Sequence, residues 1–250
     1  MTYNILNGAV ETLPQIIEVV KKESPDFLML NEANTFAKNN NALLKEFAVK
    51  TGFPYFKISL SGEGDWHIAV FSKYPLKNIY MLKPLARACI IATIESIYGP
   101  ISIASLHLTP YTEDLRQPEI ESIIAYQKPF SHKILMGDMN SLSRNDGYKD
   151  NIIKDFDEIR IRKFTTNGKL RFDIIDKILK AGYHDTAQLL EKNIDTTVPT
   201  LSKVGTKHSP MRLDYIFLSK SLLPFLQSYK VIKNKITNLA SDHYPVVVEL

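Results

Sequence analysis

The apolar positions of this chain change period several times, and each change predicts an element. Ile16, Ile17 and Val20 recur at helical spacing behind Thr12 and Pro14, and Pro25 ends that stretch. The short apolar run at 27–30 predicts a buried strand. Leu43, Leu44, Phe47 and Ala48 mark a second helix, closed by Gly52. Between residues 55 and 107 the pattern is that of strands, at 68–71, 88–97 and 101–106, with a Tyr98-Gly99-Pro100 turn. A helix is predicted over 118–127, a strand over 133–136, and a helix over 172–181 stopped by Gly182. Strands return at 213–218, 229–232 and 245–250. No repeat, low-complexity tract or linker interrupts the series, so residues 1–250 are expected to form one mixed α/β domain.

Composition narrows the classes. With 44% apolar residues in 250, a sizeable core is available and dominant disorder is excluded. Nothing approaches 18 consecutive apolar residues, so no membrane-spanning helix is expected. The single Cys89 excludes an intramolecular disulfide framework and a Cys-rich zinc module. No basic-plus-apolar leader precedes the first strand, and a cytoplasmic location is the expectation. The net charge of +4 is uneven: residues 1–125 hold 11 Lys+Arg and 13 Asp+Glu, residues 126–250 hold 20 and 14. Arg160, Arg162, Lys163, Lys169, Arg171, Lys203, Lys207 and Arg212 belong to the basic half. A polyanion is the partner such a face would attract.

Polar residues sit where apolar strands end. They are Asn4; Glu32 in Leu30-Asn31-Glu32; His107 in Ser105-Leu106-His107-Leu108; Asp138 and Asn140 in Gly137-Asp138-Met139-Asn140; Asp214 in Leu213-Asp214-Tyr215; and Asp242 with His243 in Ser241-Asp242-His243-Tyr244-Pro245. An ionisable group beside a buried strand is costly unless it is paired, hydrogen-bonded or bound to metal. One such residue is commonly a cap; six clusters in one chain predict a site at the strand ends. Oxygen ligands such as Asn4, Glu32 and Asp242 suit a hard cation, Mg²⁺ or Mn²⁺. Asp138 and Asn140 alternate along what reads as extended backbone, which would turn both into one pocket. His107 and His243 are able to donate hydrogen bonds to oxygens that gain negative charge. The inventory fits phosphate-ester hydrolysis.

In this order the motifs resemble the endonuclease/exonuclease/phosphatase superfamily, the fold shared with pancreatic deoxyribonuclease. The resemblance runs from Tyr3-Asn4 to Ser241-Asp242-His243-Tyr244-Pro245, essentially the whole chain. It implies a four-layered α/β sandwich, two facing mixed sheets flanked by helices, with the site at one edge. It also implies roles: Glu32 as principal metal ligand aided by Asn4 and Asp242, with one or two Mg²⁺ or Mn²⁺ ions. Asp138 with Asn140 would align the attacking water. His243 would contact the phosphate and share in proton transfer, oriented by Asp214, and His107 would bind the phosphate or assist the leaving oxygen. Two departures stand out: Asn31 replaces the usual Gln before the metal-binding Glu, and Leu6 stands where abasic-site endonucleases carry Asp.

Three further residues are candidates for substrate contact: His67 behind the loop at 61–66, Arg87 before a strand as a phosphate clamp, and Tyr111, which with Trp66 could stack on a base. The expected protein is a monomeric metal-dependent phosphodiesterase acting on nucleic acid. The alternatives are a phosphatase or phosphodiesterase for a small-molecule or lipid phosphate, and an inactive binding module of the same fold.

Overall fold

A computed structural model describes residues 1–83, 85–205 and 209–250, so Lys207 and His208 lie outside the described residues. The first half runs β1 (Thr2–Asn4), α1 (Leu13–Glu23), β2 (Phe27–Asn31), α2 (Lys38–Thr51), β3 (Tyr55–Ser59), β4 (Ile68–Ser72), β5 (Lys77–Met81), β6 (Ala88–Ser96) and β7 (Gly99–His107). Next come α3 (Glu113–Gln127), β8 (His132–Asp138), α4 (Glu158–Phe164), β9 (Thr165–Thr166), β10 (Lys169–Leu170) and α5 (Asp173–Lys180). The chain closes with β11 (Tyr183–Asp185), α6 (Thr186–Leu190), β12 (Asp214–Ser219), β13 (Ser228–Val231), α7 (Thr237–Ala240) and β14 (Val246–Glu249).

Two six-stranded mixed sheets result, ordered β13-β14-β1-β2-β4-β3 and β11-β12-β8-β7-β6-β5, with β9 and β10 forming a separate small hairpin. Alternation explains why β2 reads as one apolar run. Leu28 and Leu30 pack outward with Ile16, Val19 and Val20 of α1 and Leu44 and Phe47 of α2. Met29 packs inward with Val70, Ile90, Ile103, Met136 and Ile216, between the sheets. On the far side Leu106, Leu135 and Phe217 meet Ile120 and Ile123 of α3 and Ile174, Ile175 and Ile178 of α5. Each such side chain contributes about 1.5–3 kcal/mol on burial. The layers are therefore helix, sheet, sheet, helix, the sandwich that the resemblance implied.

Register then assembles strand ends. In the parallel β7–β8 pair, Leu106 lies opposite Gly137 and His107 opposite Asp138. In the antiparallel β12–β8 pair, Asp214 lies opposite Asp138. In the parallel β1–β2 pair, Asn4 lies opposite Asn31. Gly137 is required where it stands: its φ is +140°, and a Cβ there would lie 1.8 Å from the Leu106 carbonyl oxygen. Asn31 ties the sheets together, its Nδ2 donating to that same Leu106 oxygen at 3.0 Å.

Some expected boundaries move. The helix predicted over 118–127 begins at Glu113, and Thr112 caps it by accepting from the Leu115 N–H. Pro118 therefore lies inside the helix, because the Thr112 cap and the buried Glu113 and Arg116 already anchor the preceding turn. The short α4, α6 and α7 span too few residues to show a helical period in the sequence.

Candidate active site

Five strands meet at one end of the sandwich. β1 finishes at Asn4, β2 at Asn31, β7 at His107 and β8 at Asp138, and β12 starts at Asp214. Glu32, just past β2, has φ +60°, which turns its side chain out of the strand's alternation. The segment carrying Ser241, Asp242 and His243 joins this edge because Ser241 Oγ donates to the Asn4 carbonyl at 2.7 Å.

Asn4 bridges the two sheets, its Nδ2 donating to Glu32 Oε1 and to Asp138 Oδ2, both at 3.2 Å. Its Oδ1 accepts from the Leu6 N–H, so as placed Asn4 presents a donor, not an oxygen, to the carboxylates. Glu32 Oε2 accepts from the Asn7 N–H at 3.0 Å. Burial, and then the nearby Asp242 charge, push the Glu32 carboxyl above its usual range.

Asp138 and Asn140 do come together, but not by strand alternation. The strand ends at Asp138, and Asn140 has φ +50°. The Asn140 N–H folds back onto Asp138 Oδ1 at 2.8 Å, an Asx turn that replaces the extended backbone expected from the sequence. Asn140 Nδ2 donates to the Leu108 carbonyl at 2.8 Å, and its Oδ1 accepts from the Lys163 ammonium. Burial disfavours the Asp138 anion, yet His107, His243, Lys163 and the Asn140 N–H together hold its pKa below the ordinary value.

The two histidines differ in kind. His243 Nδ1 lies 2.7 Å from Asp214 Oδ2, and its Nε2 lies 4.0 Å from Asp138 Oδ2. Burial alone would lower this imidazole, but Asp214, with Asp242 and Asp138 nearby, carries it up to about 10. His107 Nε2 is 3.5 Å from Asp138 Oδ2, and its Nδ1 has no partner among the described residues. Burial, reinforced by Arg87 and Lys163 against the pull of Asp138, lowers His107 to about 4, so it is neutral near pH 7.

Three supporting residues escaped the sequence reading. Lys163 was legible only as one of many bases. Arg116, fully buried on α3, donates to the carbonyls of Thr109 at 2.9 Å and Lys163 at 2.8 Å, joining the loop after His107 to α4. Glu119 accepts from the Ala86 N–H at 3.0 Å and the Thr109 N–H at 2.9 Å, fixing the loops beside Arg87 and His107. Their signal was ambiguous: charged residues on an amphipathic helix ordinarily face solvent.

The remaining candidates line the approach. Arg87 is buried, its guanidinium 4.6 Å above the Trp66 ring, and it feels the charges of Glu32 and Asp138. Tyr111 is exposed, and its hydroxyl donates to Glu63 at 2.9 Å. His67 is buried with Nδ1 accepting from the Ser61 N–H at 3.2 Å, while its carbonyl accepts from the Ala33 N–H just beyond Glu32. The basic half is less available than its count suggests. Arg212 is buried between Asp146 and Asp185, Arg171 pairs with Asp114 and Asp173, and Arg160 pairs with Asp157. Arg212 is thus a structural cation and not part of a polyanion-binding face, a correction to the sequence expectation.

No helix among the described residues is long and apolar enough to cross a membrane. No curated protein matches the sequence. Among solved structures, the chain is similar to an AP endonuclease from Archaeoglobus fulgidus, with TM-score 0.73 and 18% identity over 99% of this chain and 96% of that one. It is similar to an endonuclease/exonuclease/phosphatase family protein from Leptotrichia buccalis, with TM-score 0.70 and 22% identity over 100% and 97%. It is also similar to the 3′ phosphatase NExo from Neisseria, bound to product DNA hairpin, with TM-score 0.70 and 16% identity over 99% and 97%. The model of the Endonuclease/Exonuclease/phosphatase family matches residues 1–243. With that pattern running from the first strand to His243, the chain belongs to the endonuclease/exonuclease/phosphatase family, whose members are hydrolases of phosphoester bonds.

Proposed function

We propose that this chain is a divalent-metal-dependent phosphodiesterase that cleaves nucleic acid, with residues 1–250 acting as one catalytic unit. The observation that carries this reading is the meeting of Glu32, Asn4, Asp138 and Asn140 with the Asp214–His243 pair at one sheet edge.

The donor set fits a hard cation at Glu32 and Asp242. Burial and the Asp242 charge raise the Glu32 carboxyl's affinity for protons, a repulsion that a bound cation would relieve. Asp138, Asp214 and His243 also converge, with one ligand atom from each within 4.8 Å of the others. That trio is less suitable, because His243 Nδ1 already bonds Asp214 at 2.7 Å and a hard cation prefers oxygen. Mg²⁺ or Mn²⁺ would supply charge neutralisation at the phosphate and the departing oxygen. Asn4 supports this site as a donor that holds Glu32.

Asp138, fixed by the Asn140 and Asn4 donors, aligns a water for attack on phosphorus. The water oxygen bonds phosphorus as its proton passes to the Asp138–His243 pair. The bond from phosphorus to the ester oxygen breaks, and that oxygen leaves with a proton from solvent, to which the pair releases the one it gained. Asp214 holds the His243 ring in the required orientation. Neutral His107 donates a hydrogen bond to the phosphate or to the leaving oxygen. Arg87, Trp66 and Tyr111 line the approach with one cation and two aromatic faces, a set that receives a phosphate and a base. Nucleic acid is favoured further by the two similar structures described as an AP endonuclease and as a 3′ phosphatase bound to product DNA.

The test is hydrolysis of single- and double-stranded DNA, RNA, inositol phosphates and sphingomyelin, with Mg²⁺ or Mn²⁺ and with EDTA. Nucleic-acid cleavage abolished by EDTA is expected, with log KM rising against log salt by about 0.9 for each duplex phosphate neutralised. Preference for a small or lipid phosphate with a flat salt response would overturn the substrate assignment.

A further inference from the structure

Lys163 stands out among the groups around this site because its half-buried ammonium bonds a neutral amide and pairs with no carboxylate among the described residues. α4, which carries it, is fastened inward by the buried Phe164, packed with Leu142, Phe156, Leu170 and Leu213. Arg116 Nη2 holds the Lys163 carbonyl at 2.8 Å. From that anchor the side chain reaches Asn140, and its ammonium donates one hydrogen bond to Asn140 Oδ1. A second contact is the Phe164 ring, whose centroid lies 5.0 Å away. No ion pair forms with any described carboxylate, although Asp138 and Glu32 are close enough to act on its charge. Two N–H bonds of this half-buried cation thus have no acceptor among the described residues, beside the carboxylate that aligns the water. A lysine serving only to neutralise Asp138 would touch it; this one touches a neutral amide instead. The same contact locks the Asn140 amide, with Oδ1 toward Lys163 and Nδ2 toward Leu108.

We propose that Lys163 is a further catalytic residue, whose ammonium binds a non-bridging oxygen of the scissile phosphate while its hydrogen bond to Asn140 fixes that amide. The assignment rests on reading this edge as a phosphoester site. Its chemistry is that of a compact point charge placed where the phosphoryl group gains charge, with donors oriented before substrate arrives.

The test measures binding of inorganic phosphate by calorimetry in Mg²⁺ buffer for wild type, K163M and K163R, together with hydrolysis. K163M should weaken phosphate binding by about tenfold or more, the weight of one charge-assisted hydrogen bond. It should lower kcat/KM by about 100-fold. K163R, which keeps the charge, should recover part of both. Phosphate affinity equal in K163M and wild type, or no phosphate binding by wild type, overturns the assignment.

A pH series covers the case in which K163M fails to fold. Burial, Arg116 and Arg160 lower the Lys163 ammonium while Asp138 and Glu32 raise it, which leaves it at about 8; the neighbouring His107 is neutral there. Wild type should therefore lose phosphate affinity between about pH 8 and 9, where the phosphate dianion and His243, at about 10, keep their charge, and K163R should not. Superimposable curves overturn the proposal. Phosphate binding through Lys163 without any ester hydrolysis would refute the hydrolytic reading alone, whereas hydrolysis untouched in K163M would refute only the role of Lys163.

Discussion

Replacing Gly137 with Ala should be among the most damaging single-methyl changes in this protein, and its size follows from the geometry. The added Cβ would sit 1.8 Å from the Leu106 carbonyl oxygen and 3.2 Å from Met29 Cε. Met29 is a flexible side chain and could yield. The Leu106 oxygen is backbone, in register opposite Gly137, and it also accepts the Asn31 Nδ2 hydrogen bond that joins the sheets. Moving it strands a buried amide whose own Oδ1 already lacks a partner among the described residues. Backbone strain at φ +140° adds about 1–3 kcal/mol, and a lost buried hydrogen bond a further 1–3 or so. The total, roughly 2–6 kcal/mol, is a large share of a typical folding free energy. Urea unfolding reads it directly as a lowered midpoint at unchanged slope. Gly52→Ala is the control: it has φ +78° but nothing within 4 Å, so only about 1 kcal/mol of conformational strain is expected. Equal losses for the two variants, or a loss under 1 kcal/mol for Gly137→Ala, would refute the claim that close approach of β7 and β8 requires this glycine.

Other changes probe the charged groups. His107 is held neutral, its folded pKa of about 4 lying below its ordinary 6.5, so the stability it contributes is present above pH 6.5 and is lost as pH falls toward 4. Over that window His107→Gln should unfold with a shallower pH dependence than wild type, the difference reaching roughly 3 kcal/mol; identical pH profiles of unfolding would exclude it. Asp214→Asn keeps the shape but removes the anion that orients His243, so kcat should fall about 10- to 100-fold with KM little changed. A change confined to KM would contradict that role. Arg116→Met leaves Glu113 buried without its cation and frees the carbonyls of Thr109 and Lys163, and should destabilise the fold by about 3–5 kcal/mol in thermal or urea melts. An unchanged melting temperature would count against the network.

Sequence and structure agree where the signal is local and strong. Long periodic stretches such as α1 and β6 were legible because apolar spacing sets which face is buried. The strand-end residues were legible as a set because a charge beside a buried strand needs a reason, and register then brought Asp138 opposite both His107 and Asp214. What sequence could not convey was local geometry. Asp138 and Asn140 looked like neighbours on one strand face, yet an Asx turn brings them together. Lys163 and Arg212 looked alike as members of a basic half. One is inserted beside the site by a seven-residue helix, whereas the other is consumed by Asp146 and Asp185 inside the protein. Charge counting sees both equally, because pairing is a tertiary fact.

The cluster at this sheet edge is proposed to hydrolyse phosphodiesters with a metal held through Glu32 and protons moved through His243. Steady-state cleavage of a DNA substrate by wild type, Glu32→Gln and His243→Ala, each titrated with Mg²⁺ and Mn²⁺ after EDTA treatment, tests it most directly. The prediction is metal-dependent cleavage by wild type, a raised metal requirement with a steep activity loss in Glu32→Gln, and a collapse of kcat in His243→Ala at saturating metal. Full activity in either variant, or cleavage by wild type that persists in EDTA, would contradict that proposal.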